Sequence, residues 1–143
     1  MNDINIVQLD DFRKKHIAVL CLPGLEGFLK DIVAHLSKDY LVKTCYSGAI
    51  AELEDAINWA DLVWLEWGNQ LATELTQKVP SLAEKKVLLR IHSYEVLSGF
   101  LPQINWNAIN DVIFVAQHIK AIAIKQVPNL AELVDIHIVA NGI

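Results

Sequence analysis

The chain has 143 residues, of which 53% are hydrophobic and 20% charged, and its net charge is −5. This length predicts one domain, and the high apolar fraction excludes disordered and low-complexity proteins. An acidic chain whose basic residues cluster only at positions 13–15 lacks the electrostatic footprint of a nucleic-acid-binding protein. The apolar excess indicates a surface that meets a second domain or another subunit, so a homo-oligomer is one expectation.

The sequence shows no targeting or membrane-spanning segment. No apolar run reaches about 18 residues, and the first fifteen residues lack the apolar stretch of a secretory signal. Cys21 and Cys45 fall in apolar runs without metal-ligand spacing, so we expect buried thiols, no metal site and a reducing, cytoplasmic location. Residues 1–14 are expected to form a lead-in segment, and residues 15–143 a single domain.

Short apolar runs alternate with amphipathic helical stretches along the chain. Strands are predicted over residues 16–22, 40–46, 61–66, 86–91, 111–116 and 134–140. Helices are predicted over 26–37, with Phe28 on a buried stripe, and over 49–59, 69–79 and 117–127, with short helical pieces within 93–110. Nearly continuous apolar strands separated by helices favour a parallel sheet. The predicted fold is α/β: a three-layer, doubly wound, Rossmann-like domain with a six-stranded parallel sheet.

In such a sheet, ligands bind beyond the carboxyl ends of the strands, where the strand order switches. The loop after the first predicted strand carries Gly24 and Gly27 and leads into a helix. Glycines allow the backbone to approach a ligand, and the free N–H groups of a helix N-terminus favour an anion. The spacing is not the GxGxxG of a dinucleotide site. The loop is therefore either a tight turn or a ligand contact.

The fourth predicted strand ends in Arg90 and His92, which alternation places on the same side. An arginine among apolar residues requires a carboxylate, and Glu66, at the end of the neighbouring strand, is the expected partner in a structural ion pair. His92 is positioned to bond a substrate oxygen or to shuttle a proton. A satisfied structural histidine is the alternative.

Other polar and aromatic residues follow the same strand ends. Trp67 is placed either to stack on a sugar or to cover the core. Asn69 follows Trp67 closely in the sequence, Glu95 follows His92, and His118 is a weaker candidate at the start of a helix. Because no nucleophile elbow, HExxH motif or cofactor lysine is present, no cofactor is expected. The residues alone indicate a ligand-binding α/β domain without a complete catalytic set.

Five segments in order resemble a known family: LPGLEGFL, ADLVWLEWGN, VLLRIHSYE, DVIFVAQHI and VDIHIVANGI. Together they resemble the N-terminal, acceptor-side domain of GT-B glycosyltransferases of the family 4 type, over residues 15–143. The resemblance implies the strand order 2-1-3-4-5-6. It also implies retaining transfer of a sugar from a nucleotide-sugar donor to a carbohydrate or other acceptor.

The resemblance also implies roles for individual residues. Gly24 and Gly27 would reach the donor phosphates, although the chain lacks the Gly-Gly pair common in this loop. His92 would be the catalytic residue that contacts the transferred sugar. The residues bordering the acceptor cleft would be Glu66, Trp67, Asn69 and Glu95.

The last segment resembles the family's hinge, here Asn141 and Gly142, which leads into a donor-binding second domain. We therefore expect the chain to be inactive alone, with that missing C-terminal domain as its partner. Two alternatives stay open. One is a stand-alone α/β module that binds a ligand or a protein without catalysis, and the other is a small enzyme that uses His92 as acid or base.

Overall fold

A computed structural model describes residues 14–140. The expected lead-in segment, apart from Lys14, and the expected hinge at Asn141 and Gly142 lie outside these residues. The strands are β1 His16–Leu20, β2 Leu41–Cys45, β3 Leu62–Glu66, β4 Lys86–Ile91, β5 Asp111–Phe114 and β6 Asp135–Ile138. The α-helices are α1 Lys30–Leu36, α2 Ile50–Trp59, α3 Gln70–Lys78, α4 Tyr94–Leu97, α5 Gln117–Gln126 and α6 Leu130–Leu133.

The strands form one all-parallel sheet in the order β2-β1-β3-β4-β5-β6, which confirms the predicted α/β fold and the strand order. The chain runs outward from β1 to β2 and then returns past β1 to β3. The order therefore switches between β1 and β3, and the carboxyl ends of these two strands are where such folds bind ligands.

The two faces of the sheet are covered unequally. On one face, Leu20 and Leu65 belong to a large apolar cluster that includes Leu53 of α2 and Leu75 of α3. On the other face, which we call the α1 face, strand residues such as Ile17 pack with the turn before α1 and with α1 itself. Right-handed crossovers explain the difference, because the connections that lead to β3, β4, β5 and β6 all run in one direction across the sheet.

The helix predicted over residues 26–37 is divided. A 3-10 turn covers Glu26–Phe28, and the α-helix begins only at Lys30, because Gly27 is a poor helix former. Phe28 therefore leaves the buried stripe predicted for it and is 50% exposed. Two short segments that the sequence analysis did not predict, the 3-10 turn Pro80–Glu84 and α6, bury Leu82 and Leu130 completely.

Candidate functional site

Three charged or polar side chains meet where β3 and β4 end. Glu66 is paired with Arg90 in the sheet register, and Glu66 Oε1 lies 3.6 Å from Arg90 Nε and 3.5 Å from His92 Nε2. Trp64 Nε1 donates a hydrogen bond to the same oxygen at 3.4 Å. Glu66 is fully buried, and Arg90 and His92 are only 7% and 3% exposed. The arrangement brings a carboxylate, a guanidinium and an imidazole together in a site largely shielded from water.

Two buried atoms of this cluster make no hydrogen bond within the described residues. Within residues 14–140, Glu66 Oε2 and His92 Nε2 are buried and have no hydrogen-bond partner. Buried polar atoms are normally satisfied, because each unsatisfied one costs about 1–3 kcal/mol. Two such atoms at one strand edge are chemically suited to a ligand that offers both a donor and an acceptor, such as a hydroxyl group.

Two aromatic rings cover the His92 imidazole. The Trp67 ring centroid lies 3.8 Å from that of His92, and the Phe28 centroid lies 5.0 Å away. Trp67 Nε1 donates to the carbonyl oxygen of Leu25 at 2.9 Å, and this bond ties the glycine-containing loop to the cluster. A ligand approaching the ring faces of His92 would therefore meet the half-exposed Phe28 or Trp67 first.

Trp67 has a strained backbone, with φ at 75°. A bulky residue in this left-handed region is a genuine outlier, and its conformation costs about 1–3 kcal/mol. The hydrogen bond from Trp67 N to the carbonyl oxygen of Arg90 at 2.9 Å and the indole bond to Leu25 hold it in place. Strain of this kind concentrates at functional sites, and here it lies directly above the buried imidazole.

Glu95 and Asn69 hold the loops in position. Glu95 Oε1 accepts hydrogen bonds from His92 N at 2.7 Å and from Gly68 N at 3.2 Å. Asn69 Oδ1 accepts from Leu71 N at the start of α3, and Asn69 Nδ2 donates to the Tyr94 hydroxyl at 2.8 Å. Both side chains are fully buried. The structure therefore gives them positioning roles, and their predicted contacts with an acceptor stay predictions.

The two glycines lie on the same edge of the sheet as His92. Gly24 has φ at 90°, which a glycine adopts without strain, and Leu25 N donates to the carbonyl oxygen of Leu22 to close the turn. The tight turn explains why glycine is favoured at position 24. At Gly27 a Cβ would meet nothing within 4 Å, so packing does not require glycine there. His118 is exposed at the start of α5.

The sequence analysis did not include Cys21 or Tyr46 among the candidate site residues, yet both lie close to the site. Burial, followed by the Glu66 and Glu26 carboxylates, raises the pKa of Cys21 to about 12. Burial, followed by Cys21, Glu26 and Glu66, also raises the pKa of Tyr46. The signal available in the sequence was position alone, because each residue stands at or near the carboxyl end of a predicted strand. At neutral pH the Cys21 thiol stays protonated and is a poor nucleophile.

Alkylation tests the protonated state of Cys21. At pH 8.5 we expect iodoacetamide to label Cys21 at least about 100-fold more slowly in the folded chain than in urea, because only thiolates react. Mass spectrometry of tryptic peptides measures both rates. Cys45, which is only partly buried, is the internal comparison and should react faster. Equal labelling of the two folded-state cysteines would contradict this prediction.

Gly68 is closely packed against neighbouring side chains. A Cβ at this position would lie 3.1 Å from Ile91 Cγ1 and 3.3 Å from Leu101 Cδ2. We expect Gly68→Ala to lower the free energy of unfolding by about 1–3 kcal/mol through overpacking, measured by urea denaturation. The matched control is Gly27→Ala, which has open space around it and should change stability by less than about 0.5 kcal/mol. Similar losses for both variants would contradict this explanation.

In the part of the chain that spans residues 14–140, no group of three or more His, Cys, Asp or Glu side chains is placed to hold a metal ion. No helix within it is long and apolar enough to cross a membrane. Comparison of the chain with known protein families, curated protein sequences and solved structures finds no match.

Proposed function

We propose that residues 15–143 are the acceptor-side domain of a retaining glycosyltransferase, and that turnover needs a second domain that binds the nucleotide-sugar donor. The observation that carries the proposal is the buried contact between Glu66 and His92 at the carboxyl ends of β3 and β4, next to the strand-order switch between β1 and β3. The order of sequence segments that resembles the GT-B family supports it. The proposal includes no cofactor and a cytoplasmic location.

The chemistry of the cluster suits a sugar. Glu66 Oε2 and His92 Nε2 are an acceptor and a potential donor that make no hydrogen bond within residues 14–140, and sugar hydroxyls serve as both. Trp67 offers an aromatic face to the apolar side of a pyranose ring. In this proposal Glu66 orients the imidazole, and His92 contacts the transferred sugar near the reacting carbon.

Access to His92 requires a local movement. Its imidazole is covered by Phe28, which belongs to the 3-10 turn Glu26–Phe28 and is half exposed. Displacing one exposed ring costs less than opening the core, because little apolar area is uncovered. We therefore assign Phe28 the role of a side chain that moves aside when acceptor or donor sugar enters.

The described domain supplies one side of the proposed cleft. Stabilising a departing nucleotide diphosphate takes positive charges in a closed site from which water is excluded. We assign those charges to the donor-binding domain. The chain alone should accordingly bind a saccharide weakly and turn over no nucleotide-sugar.

Nitrogen-15 NMR of the four tryptophan indoles tests the proposal in the full chain. A panel of monosaccharides, disaccharides and nucleotide-sugars is titrated, and we expect a saccharide to shift the Trp67 indole resonance saturably. His92→Ala should abolish that shift. Trp59→Phe is the matched control, because Trp59 stacks on His16 at the other end of β1. If no saccharide shifts the Trp67 resonance, the acceptor role is wrong. Turnover by the chain alone would show that a second domain is not needed.

A non-catalytic binding or interaction module is the second candidate, favoured by the burial of His92 and by the exposure of Leu97, an apolar side chain that is 76% exposed on α4. Under this alternative, the Glu66 cluster only stabilises the sheet. Saturable ligand or protein binding that is unchanged in His92→Ala would favour it.

A further inference from the structure

A groove of about 440 Å³ lies on the α1 face near the start of the strands, at the opposite end of the sheet from His92. Ile17 of β1, Leu36 of α1, Trp64 of β3 and Leu88 of β4 form its apolar lining. This volume falls within the range of about 300–1,000 Å³ typical of binding pockets in proteins.

The topology explains why this groove is open. Crossover handedness places α2, α3, α5 and α6 on the opposite face, and within residues 14–140 only α1 and the turn before it supply helical side chains to the apolar cluster on the α1 face. Leu88 of β4 and Ile113 of β5 face the same side and are only partly buried. A parallel sheet is normally covered on both faces, so we expect another segment to cover this region.

We propose that the groove binds the chain's own N-terminal segment, residues 1–13. The first described residues connect it directly to the site, since Lys15 lines the groove immediately before β1 begins. A chain of 13 residues can reach about 43 Å when extended, whereas β1, β3 and β4 together are only about 10 Å wide from axis to axis. The segment is therefore long enough to cross the groove.

The composition of the segment matches the lining. Within residues 1–13 the apolar side chains beyond Met1 are Ile4, Ile6, Val7, Leu9 and Phe12, and the charged ones include three aspartates. These apolar side chains are suited to the apolar lining of the groove.

The rim of the groove carries charges of both signs. Lys15 and Lys86 both line the groove, and the Lys86 side chain is 62% exposed, with Nζ 3.7 Å from Asp111 Oδ2. The acidic side chain in the lining, Asp61, accepts a hydrogen bond from His16 N at 2.8 Å, and this bond lowers the pKa of Asp61. Each rim lysine thus has a carboxylate near it, Asp61 for Lys15 and Asp111 for Lys86, so the match between groove and segment is carried by their apolar side chains.

Protease protection in the full chain tests the proposal. Chymotrypsin cleavage after Leu9 and Phe12 is timed under native conditions and compared with cleavage of a synthetic peptide of residues 1–15. We expect cleavage at least about tenfold slower in the folded chain, because a bound segment must be released before it is cut. Leu88→Asp should remove the protection. The matched control is Leu97→Asp, at an exposed position on α4 outside the groove, which should retain it.

A change in the segment itself keeps the test valid if Leu88→Asp fails to fold. Ile6→Asp lies outside the described core, should leave the circular dichroism spectrum unchanged, and should abolish the protection. Equal cleavage rates in the unmodified chain and the peptide would overturn the proposal, as would protection that survives both Leu88→Asp and Ile6→Asp.

Zero-length carbodiimide cross-linking identifies the occupant. We expect cross-links from Lys86 to Asp10 or Asp11 within one chain, with the Lys86–Asp111 cross-link as an internal standard. An equal mixture of nitrogen-15-labelled and unlabelled chains separates links within a chain from links between chains. Cross-links found only between chains would overturn the proposal in favour of a second copy as the occupant.

Discussion

Glu95→Ala is expected to lower the free energy of unfolding by about 3–5 kcal/mol, since it removes two charge-assisted hydrogen bonds worth about 1.5–3 kcal/mol each. The fully buried Glu95 carboxylate joins the loop after β3, through Gly68 N, to the loop after β4, through His92 N. Removing it leaves two buried N–H groups without this acceptor. Urea denaturation followed by tryptophan fluorescence measures the loss.

Two variants separate the role of the hydrogen bonds from that of the side chain's bulk. Glu95→Gln keeps an acceptor oxygen and should lose less than half as much stability as Glu95→Ala. Glu54→Ala, at an exposed position of α2, is the matched control and should stay within about 0.5 kcal/mol of the unmodified chain. A Glu95→Ala variant as stable as Glu54→Ala would show that the carboxylate does not hold the two loops together.

Glu66→Ala is the second change with a large expected effect, again about 3–5 kcal/mol, because it leaves the buried guanidinium of Arg90 without this carboxylate. The double variant Glu66→Ala/Arg90→Met should recover part of the loss, because the buried positive charge is removed along with its partner. Urea denaturation of the two single variants and the double variant gives the coupling energy.

The coupling energy distinguishes an ion pair from simple packing. We expect it to exceed about 1 kcal/mol, as for side chains in direct contact. Additive losses would show that Glu66 and Arg90 stabilise the sheet independently. The matched control pairs Glu66→Ala with Lys86→Met, because Lys86 lies on the same strand as Arg90 and contacts Asp111 instead; that pair should be additive.

Most of the sheet was predictable from sequence because β1, β3, β4 and β5 are nearly continuous in apolar residues, which is the pattern of parallel strands in an α/β sheet. The edge strands β2 and β6 are more polar and more exposed. β4 was predicted with the bounds that the structure gives it. The placement of Arg90 beside Glu66 followed from the same pattern, because both stand at the ends of neighbouring parallel strands. Short segments such as α6 have too few residues to show a period, and they were missed.

The finer geometry of the candidate site depends on contacts between loops, which no local pattern encodes. The left-handed backbone of Trp67 is held by the backbone of β4 and by the loop after β1. The exposure of Phe28 depends on where α1 begins, which Gly27 delays. The hydrogen bonds of Glu95 join two loops that are far apart in sequence, so neither the strand pattern nor the helix pattern could predict them.

The parallel order of the strands has a consequence for how the chain folds. Each strand pairs only with strands that lie a full crossover or more away in sequence, as Asp111 does with Asp135 and Ile17 with Leu62. The chain must therefore lose the entropy of closing long loops before strand pairing can stabilise it. We expect it to fold more slowly than a helical bundle of equal size. Since β1 is bordered by β2 and β3, synthesis from the N-terminus releases one side of the sheet first, and β6 can be added at the opposite edge last.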